Sequence, residues 1–180
     1  MVAISGKKVC LVIAPSNFRD EELLDTRKEL ERAGATITVV STHTNPVKGM
    51  LGATARPDGL ISSVRAENFD AVVFIGGSGA TALFDDPSAH ALAQSALRSG
   101  KLLGAICIAP SILARAGLLR GKKATIFKGE RFVRIIQEGG ANYTGDPVTV
   151  DGRIVTADGP ASAGRFAKAL VSELARSKGA

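Results

Sequence analysis

Short runs of apolar residues, or of alternating apolar and polar residues, recur along the chain, and each has about the length of a strand. Longer segments between them have apolar residues at helical spacing. A continuously apolar run of this length is typical of a parallel strand that is covered on both faces. Such runs predict strands over 9–14, 35–41, 70–75, 102–106 and 123–127. Near the end of the chain, Asp151-Gly152 separates two further runs and predicts a hairpin of strands 147–150 and 153–156.

The segments between these strands carry helix signals. The first helix begins at the acidic run 20–22, where the helix dipole favours anions, and Gly34 is placed to end it. Its predicted apolar stripe consists of Leu23, Leu24 and Leu30. Further helices are predicted over 88–97, 110–116 and 131–138, and a last one begins after Gly159-Pro160 with the stripe Phe166, Leu170 and Leu174. Strand–helix alternation with buried strands predicts one α/β domain, 1–180, around a mainly parallel sheet.

Composition narrows the classes of function. A 180-residue chain that is 45% hydrophobic is not a disordered one. No apolar run approaches the roughly 18 residues that span a bilayer, and no signal peptide is recognised, so we expect a cytoplasmic protein. Two cysteines exclude a disulfide scaffold and a cysteine-rich zinc domain, and two histidines leave little for a metal site.

The net charge of +6 raises the question of a nucleic-acid partner. With no Trp and one Tyr, the chain lacks the aromatic residues of a single-strand stacking platform. The basic residues of the second half form no reading motif: Arg115, Arg120, Lys122, Lys123, Lys128, Arg131 and Arg134. We interpret them as a solvated face and expect no nucleic-acid partner.

The main chemical signal is Cys107, which directly follows the predicted strand 102–106 and precedes the helix that begins at Pro110. Ligand sites in such sheets lie beyond the carboxyl ends of the strands. A tight strand-to-helix turn holds a nucleophile clear of the backbone, and the helix start is expected to lower the thiol pKa. A buried core cysteine is the alternative, and these residues alone leave both open.

The strand that ends at residue 75 is followed by the turn Gly76-Gly77. Glycine lets a backbone N–H approach a ligand closely, and together with the Ile108 N–H this turn could form an oxyanion hole. A plain glycine turn is the alternative. The turn is not the dinucleotide-binding fingerprint, which follows the first strand, so we do not expect a nicotinamide cofactor.

Glu21 or Glu22 could reach Cys107 from the end of the first strand. A carboxylate would repel a thiolate, so the pair works only if the carboxyl is protonated and donates to sulfur, which requires a raised pKa. A solvated helix start is the alternative reading.

The remaining cysteine and the two histidines carry weaker signals. Cys10 lies in the middle of a strand and is expected to pack in the core. His43 and His90 are expected at the surface, although a contribution from His43 across a dimer interface stays open.

Four segments resemble, in order and spacing, the ThiJ/PfpI superfamily, also called the DJ-one superfamily, which has a class I glutamine amidotransferase-like fold. They are 17–23 (NFRDEEL), 74–77 (FIGG), 105–110 (AICIAP) and 156–160 (TADGP), and the resemblance covers essentially the whole chain. It implies a flavodoxin-like three-layer sandwich and a homodimer with its site near the interface. It assigns the thiol-contacting acid to Glu22 and implies that Gly76, Arg19 and Asp158 line the site.

Two departures limit what the resemblance implies. Members with a proposed protease triad carry His directly after the cysteine, where this chain has Ile108. This argues against peptide hydrolysis. Many relatives also have Arg where this chain has Asp158, so the substrate is not carried over.

The resemblance implies an enzyme without cofactor or metal that acts on small reactive carbonyls, like a glyoxalase or deglycase. Cys107 would be the nucleophile, Glu22 the proton shuttle, and the N–H groups of Gly77 and Ile108 the oxyanion donors. The alternatives are a redox-sensing or stress-protective protein that acts through Cys107 oxidation, an isocyanide hydratase, and, disfavoured by the missing histidine, a PfpI-type peptidase.

Overall fold

A seven-stranded, mainly parallel sheet forms the centre of the computed structural model, which describes residues 2–176. The strands of the first half are β1 (Lys8–Val12), β2 (Thr36–Ser41), β3 (Val47–Lys48), β4 (Thr54–Ala55), β5 (Gly59–Leu60) and β6 (Ala71–Phe74). Those of the second half are β7 (Leu102–Ile106), β8 (Lys123–Ala124), β9 (Asn142–Tyr143), β10 (Val148–Asp151) and β11 (Ile154–Ala157).

The order of strands in the sheet is β10-β11-β7-β6-β1-β2-β5. The β10–β11 pair is antiparallel and forms the predicted hairpin, while the other pairs are parallel. The strands β1, β6 and β7 lie at the middle of the sheet and are almost wholly buried, as their apolar sequences predict. Their carboxyl ends meet at one edge, so the segments after residues 12, 74 and 106 are neighbours.

Helices cover both faces of this sheet. They are α1 (Asp20–Arg32), α2 (Pro87–Arg98), α3 (Pro110–Arg115), α4 (Glu130–Glu138) and α5 (Ala163–Arg176). The helices α1 and α5 pack against each other, whereas α2 packs against α3 and α3 against α4. The predicted three-layer α/β sandwich is therefore confirmed, and the stripe Phe166, Leu170 and Leu174 of α5 is fully buried.

The prediction of a strand over 123–127 is mostly wrong. Only β8 is a strand, and it pairs with β9 in a separate two-stranded sheet. Beyond it, the N–H of Thr125 donates to the Thr156 hydroxyl at 2.9 Å, and the N–H of Phe127 donates to the Cys107 carbonyl at 2.9 Å. These partners replace the bonds that a longer strand would make.

The predicted stripe of the first helix is also wrong at one position. Leu23 and Leu30 are buried, but Leu24 is 50% exposed. The buried position next to them on α1 is the polar Thr26.

The sequence-based predictions missed a short antiparallel hairpin formed by β3 and β4. They also missed the edge strand β5 and short 3-10 helices over Ala66–Asn68, Ser78–Leu83 and Pro160–Ser162. Within residues 2–176, none of the helices has the length and apolar character needed to cross a membrane.

Candidate active site

Cys107 occupies a strained backbone position directly after β7. Its φ is +62°, a left-handed conformation that side chains other than glycine rarely adopt. The surrounding backbone holds this conformation in place. The Cys107 N–H donates to the Ala157 carbonyl at 2.9 Å, and the Cys107 carbonyl accepts from the Phe127 N–H at 2.9 Å. The cysteine is only 8% exposed and forms the floor of a cavity at the sheet edge.

Glu22 reaches the same point from the first turn of α1 and is fully buried. Its Oε2 accepts a hydrogen bond of 2.8 Å from the Gly76 N–H. Its carboxyl is also a hydrogen-bonding neighbour of the Cys107 thiol. The other oxygen, Glu22 Oε1, is buried without a hydrogen-bond partner in residues 2–176, which favours the neutral, protonated form of the carboxyl.

Gly76 makes this contact possible because it has no side chain. A Cβ at this position would lie 2.6 Å from Cys107 Cβ and 2.6 Å from Glu22 Oε2. Any larger residue would push the two side chains apart. The first glycine of the predicted turn is therefore a packing requirement of the pair.

The second glycine and Ile108 supply backbone donors. The N–H groups of Gly77 and Ile108 both lie near the Cys107 sulfur and act to lower its pKa. Gly77 has a φ of +106°, and a Cβ there would overlap the backbone of 17–19. The structure thus brings together Cys107, Glu22, Gly76, Gly77 and Ile108. Their predicted roles stay predictions.

The protonation of the pair follows from its burial. Burial raises the pKa of the Glu22 carboxyl to about 7, although the hydrogen bonds from Cys107 and the Gly76 N–H act in the opposite direction. Burial also raises the pKa of the Cys107 thiol to about 12, and the charge of Glu22 adds to this effect. The expectation of a lowered thiol pKa is therefore wrong, because burial outweighs the nearby helix start. Near neutral pH, Glu22 can both hold and accept a proton.

A cavity of about 250 Å³ opens above the sulfur. Its lining includes Arg19 and Cys107 and the donor-bearing Gly77 and Ile108, together with five residues that the sequence analysis did not single out: Met50, Ser78, Phe127, Phe132 and Pro160. Pro160 is the last residue of a segment that carries the resemblance, and Phe127 ends an apolar run. Met50 lies between β3 and β4 and had no sequence signal.

Other predicted site residues fall in different surroundings. Arg19 lines the cavity, and its guanidinium binds Glu21 through two hydrogen bonds of 2.8 and 3.1 Å. Asp158 accepts a 2.6 Å hydrogen bond from the Ser162 hydroxyl, and within residues 2–176 neither Asp158 nor Gly76 is among the residues that line the cavity. Their role in the site stays a prediction. Glu21, the alternative acid, points away from the thiol into its pairing with Arg19.

The residues expected to be structural lie apart from the cavity. Cys10 is fully buried within β1, and burial raises its thiol pKa to about 12. His43 Nε2 contacts the Pro15 carbonyl at 3.1 Å, and His90 Nε2 contacts the Phe84 carbonyl at 2.7 Å. Both histidines are half-buried rather than fully exposed.

The fold and the pair define a class of protein: an α/β sandwich with a cysteine at a strand–helix elbow and a buried acid beside it. The sequence model of the DJ-1/PfpI family matches residues 7–173. The chain belongs to the DJ-1/PfpI family.

Individual relatives agree with this assignment. A crystal structure of a ThiJ/PfpI domain protein from Brachyspira murdochii is 35% identical, with a TM-score of 0.90, covering 97% of this chain and 98% of that one. A glutathione-independent glyoxalase of Caenorhabditis elegans is 29% identical over 93% of this chain and 89% of its own. A deglycase of Pyrococcus horikoshii is 30% identical over 84% of this chain and 90% of its own.

Proposed function

We propose that this protein is a cofactor-independent, glyoxalase-like enzyme that converts a 2-oxoaldehyde and water into a 2-hydroxy acid. The observation that carries the proposal is a buried pair: Cys107 lines a small cavity, and the fully buried Glu22 lies beside it. A thiol and an acid that exchanges its proton near pH 7 are the two groups that this reaction requires. The names of the nematode glyoxalase and the archaeal deglycase support carbonyl chemistry.

In the first step of the proposed reaction, Cys107 sulfur attacks the aldehyde carbon and forms a C–S bond. The Glu22 carboxylate takes the thiol proton and passes it to the former carbonyl oxygen, which gives a hemithioacetal. The N–H groups of Gly77 and Ile108 stabilise the negative charge that develops on that oxygen. Because the thiol pKa is high while Glu22 is ionised, attack and proton transfer are expected to occur together.

In the second step, Glu22 removes the proton from the carbon bonded to sulfur and returns a proton to the neighbouring ketone carbon. The hydroxyl proton of the first carbon moves to the former ketone oxygen, so the first carbon becomes a carbonyl and the second carries the hydroxyl group. The first carbon is thereby oxidised and the second reduced, so no external redox partner is needed. The product is a thioester of the 2-hydroxy acid with Cys107. Water then cleaves the C–S bond, releases the acid and restores the thiol.

The test is the conversion of methylglyoxal to lactate by the purified protein and its variants. Cys107→Ser should abolish turnover, and Glu22→Gln should lower kcat by about 10²–10⁴-fold, the usual contribution of an acid–base group. Cys10→Ala is the matched control, since this second cysteine is buried in β1 away from the cavity. Full turnover by Cys107→Ser would rule the proposal out.

A redox role of the same thiol is the second candidate. Three groups surround the sulfur and could hold an oxidised form through hydrogen bonds: Glu22 and the N–H groups of Gly77 and Ile108. Hydrogen peroxide would convert the thiol to sulfenate, and a second equivalent would give sulfinate, with water as the by-product each time. Mass spectrometry after mild peroxide treatment, showing Cys107 sulfinate in a protein without carbonyl turnover, would favour this role.

Assembly and location are part of the proposal as well. We propose one family domain, a homodimer with the site near its interface, and a cytoplasmic location. Sedimentation equilibrium at micromolar concentration would measure the mass in solution, and a monomer would contradict the proposed dimer. Isocyanide hydration and peptide hydrolysis stay predictions that a Cys107-dependent activity screen would test.

A further inference from the structure

The wall of the cavity above Cys107 is mainly apolar. Of the side chains in residues 2–176 that line it, five are apolar: Met50, Ile108, Phe127, Phe132 and Pro160. Arg19 is the one charged lining group in this part of the chain, and Glu21 already binds it through two hydrogen bonds. The part of a substrate that does not react therefore meets mainly apolar side chains in this cavity.

The apolar wall is fixed in place by contacts behind it. The Phe132 ring packs edge-on against Phe84, with centroids 6.3 Å apart, and against Phe127, with centroids 6.1 Å apart. The N–H of Phe127 binds the Cys107 carbonyl at 2.9 Å, which ties this ring to the elbow. Met50 sulfur accepts a contact of 3.3 Å from the Ser78 N–H.

Two of these side chains leave much of their surface open. Phe127 is 43% exposed and Met50 is 42% exposed, although both line the cavity. A ligand that covers large apolar groups at the mouth of a cavity removes them from water, which makes the free energy of binding more favourable. The cavity of about 250 Å³ has roughly the volume of eight water molecules of the liquid, so a three-carbon aldehyde on the sulfur leaves space beside these rings.

Building on the proposed glyoxalase-like function, we infer that the preferred substrates are free 2-oxoaldehydes with a hydrocarbon substituent, aliphatic or aromatic, which Met50, Phe127 and Phe132 select. Glyoxal, which has no substituent, leaves the wall uncovered. A cationic adduct such as a glyoxal-modified arginine side chain brings its charge towards Arg19 and finds no carboxylate among the lining residues in 2–176.

The test compares kcat/KM for glyoxal, methylglyoxal and phenylglyoxal, with glyoxal-modified N-acetylarginine as the cationic probe. In the wild-type protein kcat/KM should rise from glyoxal to methylglyoxal to phenylglyoxal, and it should be lowest for the arginine adduct. Phe127→Ala and Met50→Ala should each lower the ratio of phenylglyoxal to glyoxal turnover by about tenfold. Comparing ratios between variants cancels the intrinsic reactivity of each aldehyde.

Val150→Ala is the matched control, because Val150 is an exposed apolar residue that does not line the cavity. This variant should leave the ratio unchanged. If all three aldehydes turn over through Cys107 but the ratio does not respond to Phe127 or Met50, the inference fails and the proposed function stands. Preferred turnover of the arginine adduct would also overturn the inference.

A second measurement does not depend on turnover. Alkylation of Cys107 by iodoacetamide is followed in the presence of acetophenone or acetone. Acetophenone has a phenyl ring where acetone has a methyl group. Acetophenone should protect the thiol at about tenfold lower concentration than acetone, and Phe127→Ala should remove this difference. Equal protection by the two ketones would overturn the inference, even if no aldehyde is turned over and the proposed function fails.

Discussion

At the scale of single residues, the site depends on a carboxyl group that is kept out of water. Glu22 is fully buried, and its polar neighbours include the Gly76 N–H and the Cys107 thiol. An ionised carboxylate in this position lacks most of the hydration that it has in the unfolded chain. The same burial that poises Glu22 for proton transfer near neutral pH therefore costs stability once the proton is lost.

This cost leads to a prediction for Glu22→Gln. The folded-state pKa of about 7 lies above the unfolded value, so the folded protein binds more protons between about pH 4.5 and 7. Stability from this group is complete below the unfolded pKa and is lost as pH rises through 7. Glu22→Gln stays neutral, so its stability relative to wild type should rise with pH through this range. At pH 8 the difference should be about 3 kcal/mol more in favour of the variant than at low pH. Urea denaturation at pH 5 and pH 8 measures the difference.

Glu21→Gln is the matched control one position away. The hydrogen bonds from Arg19 lower the pKa of Glu21, so its contribution to stability is present above the unfolded pKa and is lost as pH falls. Its substitution should change the pH dependence in the opposite direction and only weakly, because this pair is partly exposed. If the two variants gave the same pH profile, Glu22 would not carry the raised pKa.

The site was predictable from the sequence where a chemical requirement selected a residue. An acid beside a thiol must be able to hold a proton, and this requirement led to Glu21 or Glu22. The resemblance to the family then assigned the role to Glu22. The direction of the Cys107 pKa was not predictable, because the local pattern contains the helix start but not the burial created by the whole fold. Met50 and Phe132 reach the cavity through tertiary packing, which no spacing along the chain encodes.

At the scale of elements, the carboxylate of Asp20 joins two backbone hydrogen bonds, Asn17 N–H to the Lys48 carbonyl and Met50 N–H to the Phe18 carbonyl, in holding the hairpin of β3 and β4 to the site. The Asp20 oxygens accept hydrogen bonds from the N–H groups of Leu51 and Ala53, at 2.8 and 2.7 Å. Burial opposes ionisation of Asp20, but these N–H groups lower its pKa. Since Met50 belongs to the same hairpin, Asp20 fixes one side of the cavity without lining it.

Asp20→Asn should loosen this hairpin. The amide has one acceptor oxygen, so it keeps one of the two hydrogen bonds and turns its NH₂ group towards the other donor. A lost bond to a charged group corresponds to about 1.5–3 kcal/mol. Native-state hydrogen exchange at Leu51 and Ala53 should therefore accelerate at least about tenfold.

Asp58→Asn is the control for the hairpin experiment. This exposed carboxylate, three residues after β4, accepts a 2.8 Å hydrogen bond from the Val39 N–H of β2 and not from a residue of the hairpin. Its substitution should accelerate exchange at Val39 and leave Leu51 unchanged. Slow exchange at Leu51 in Asp20→Asn would show that other contacts hold the hairpin.

A strand could be predicted where an apolar run of strand length is buried on both faces in the fold. The run 102–106 matches β7 because both faces of that strand are covered, so every position is apolar. The run 123–127 looks the same locally, but its backbone binds Thr156 and the elbow instead of a neighbouring strand. The strands β3 and β4 have two residues each, too few for a periodic signal. Tertiary hydrogen bonds, including those to Asp20, hold the hairpin in place.

At the scale of the whole molecule, the layers meet through a glycine in the middle of the sheet. Gly104 lies in β7, and a Cβ there would come within 3.1 Å of Leu170, 3.2 Å of Phe166 and 3.3 Å of Val73. The helix α5 can press onto the sheet only because this position has no side chain. Alternation of strands and helices predicts the layers. The distance between the sheet and α5 is set by close contacts such as those of Gly104 with Phe166 and Leu170.

Gly104→Val should destabilise the whole fold. The added methyl groups would enter a core that is already packed against Phe166 and Leu170, and overpacking of this kind costs about 1–3 kcal/mol. Gly164→Ala is the matched control, because a Cβ at that glycine of α5 meets nothing within 4 Å. Alanine there should be neutral or stabilise by up to about 1 kcal/mol, since it favours helix. Urea midpoints of both variants measure the contrast. An unchanged midpoint for Gly104→Val would mean that α5 can move away from the sheet at no cost, and close packing of this layer would then not be what stabilises the fold.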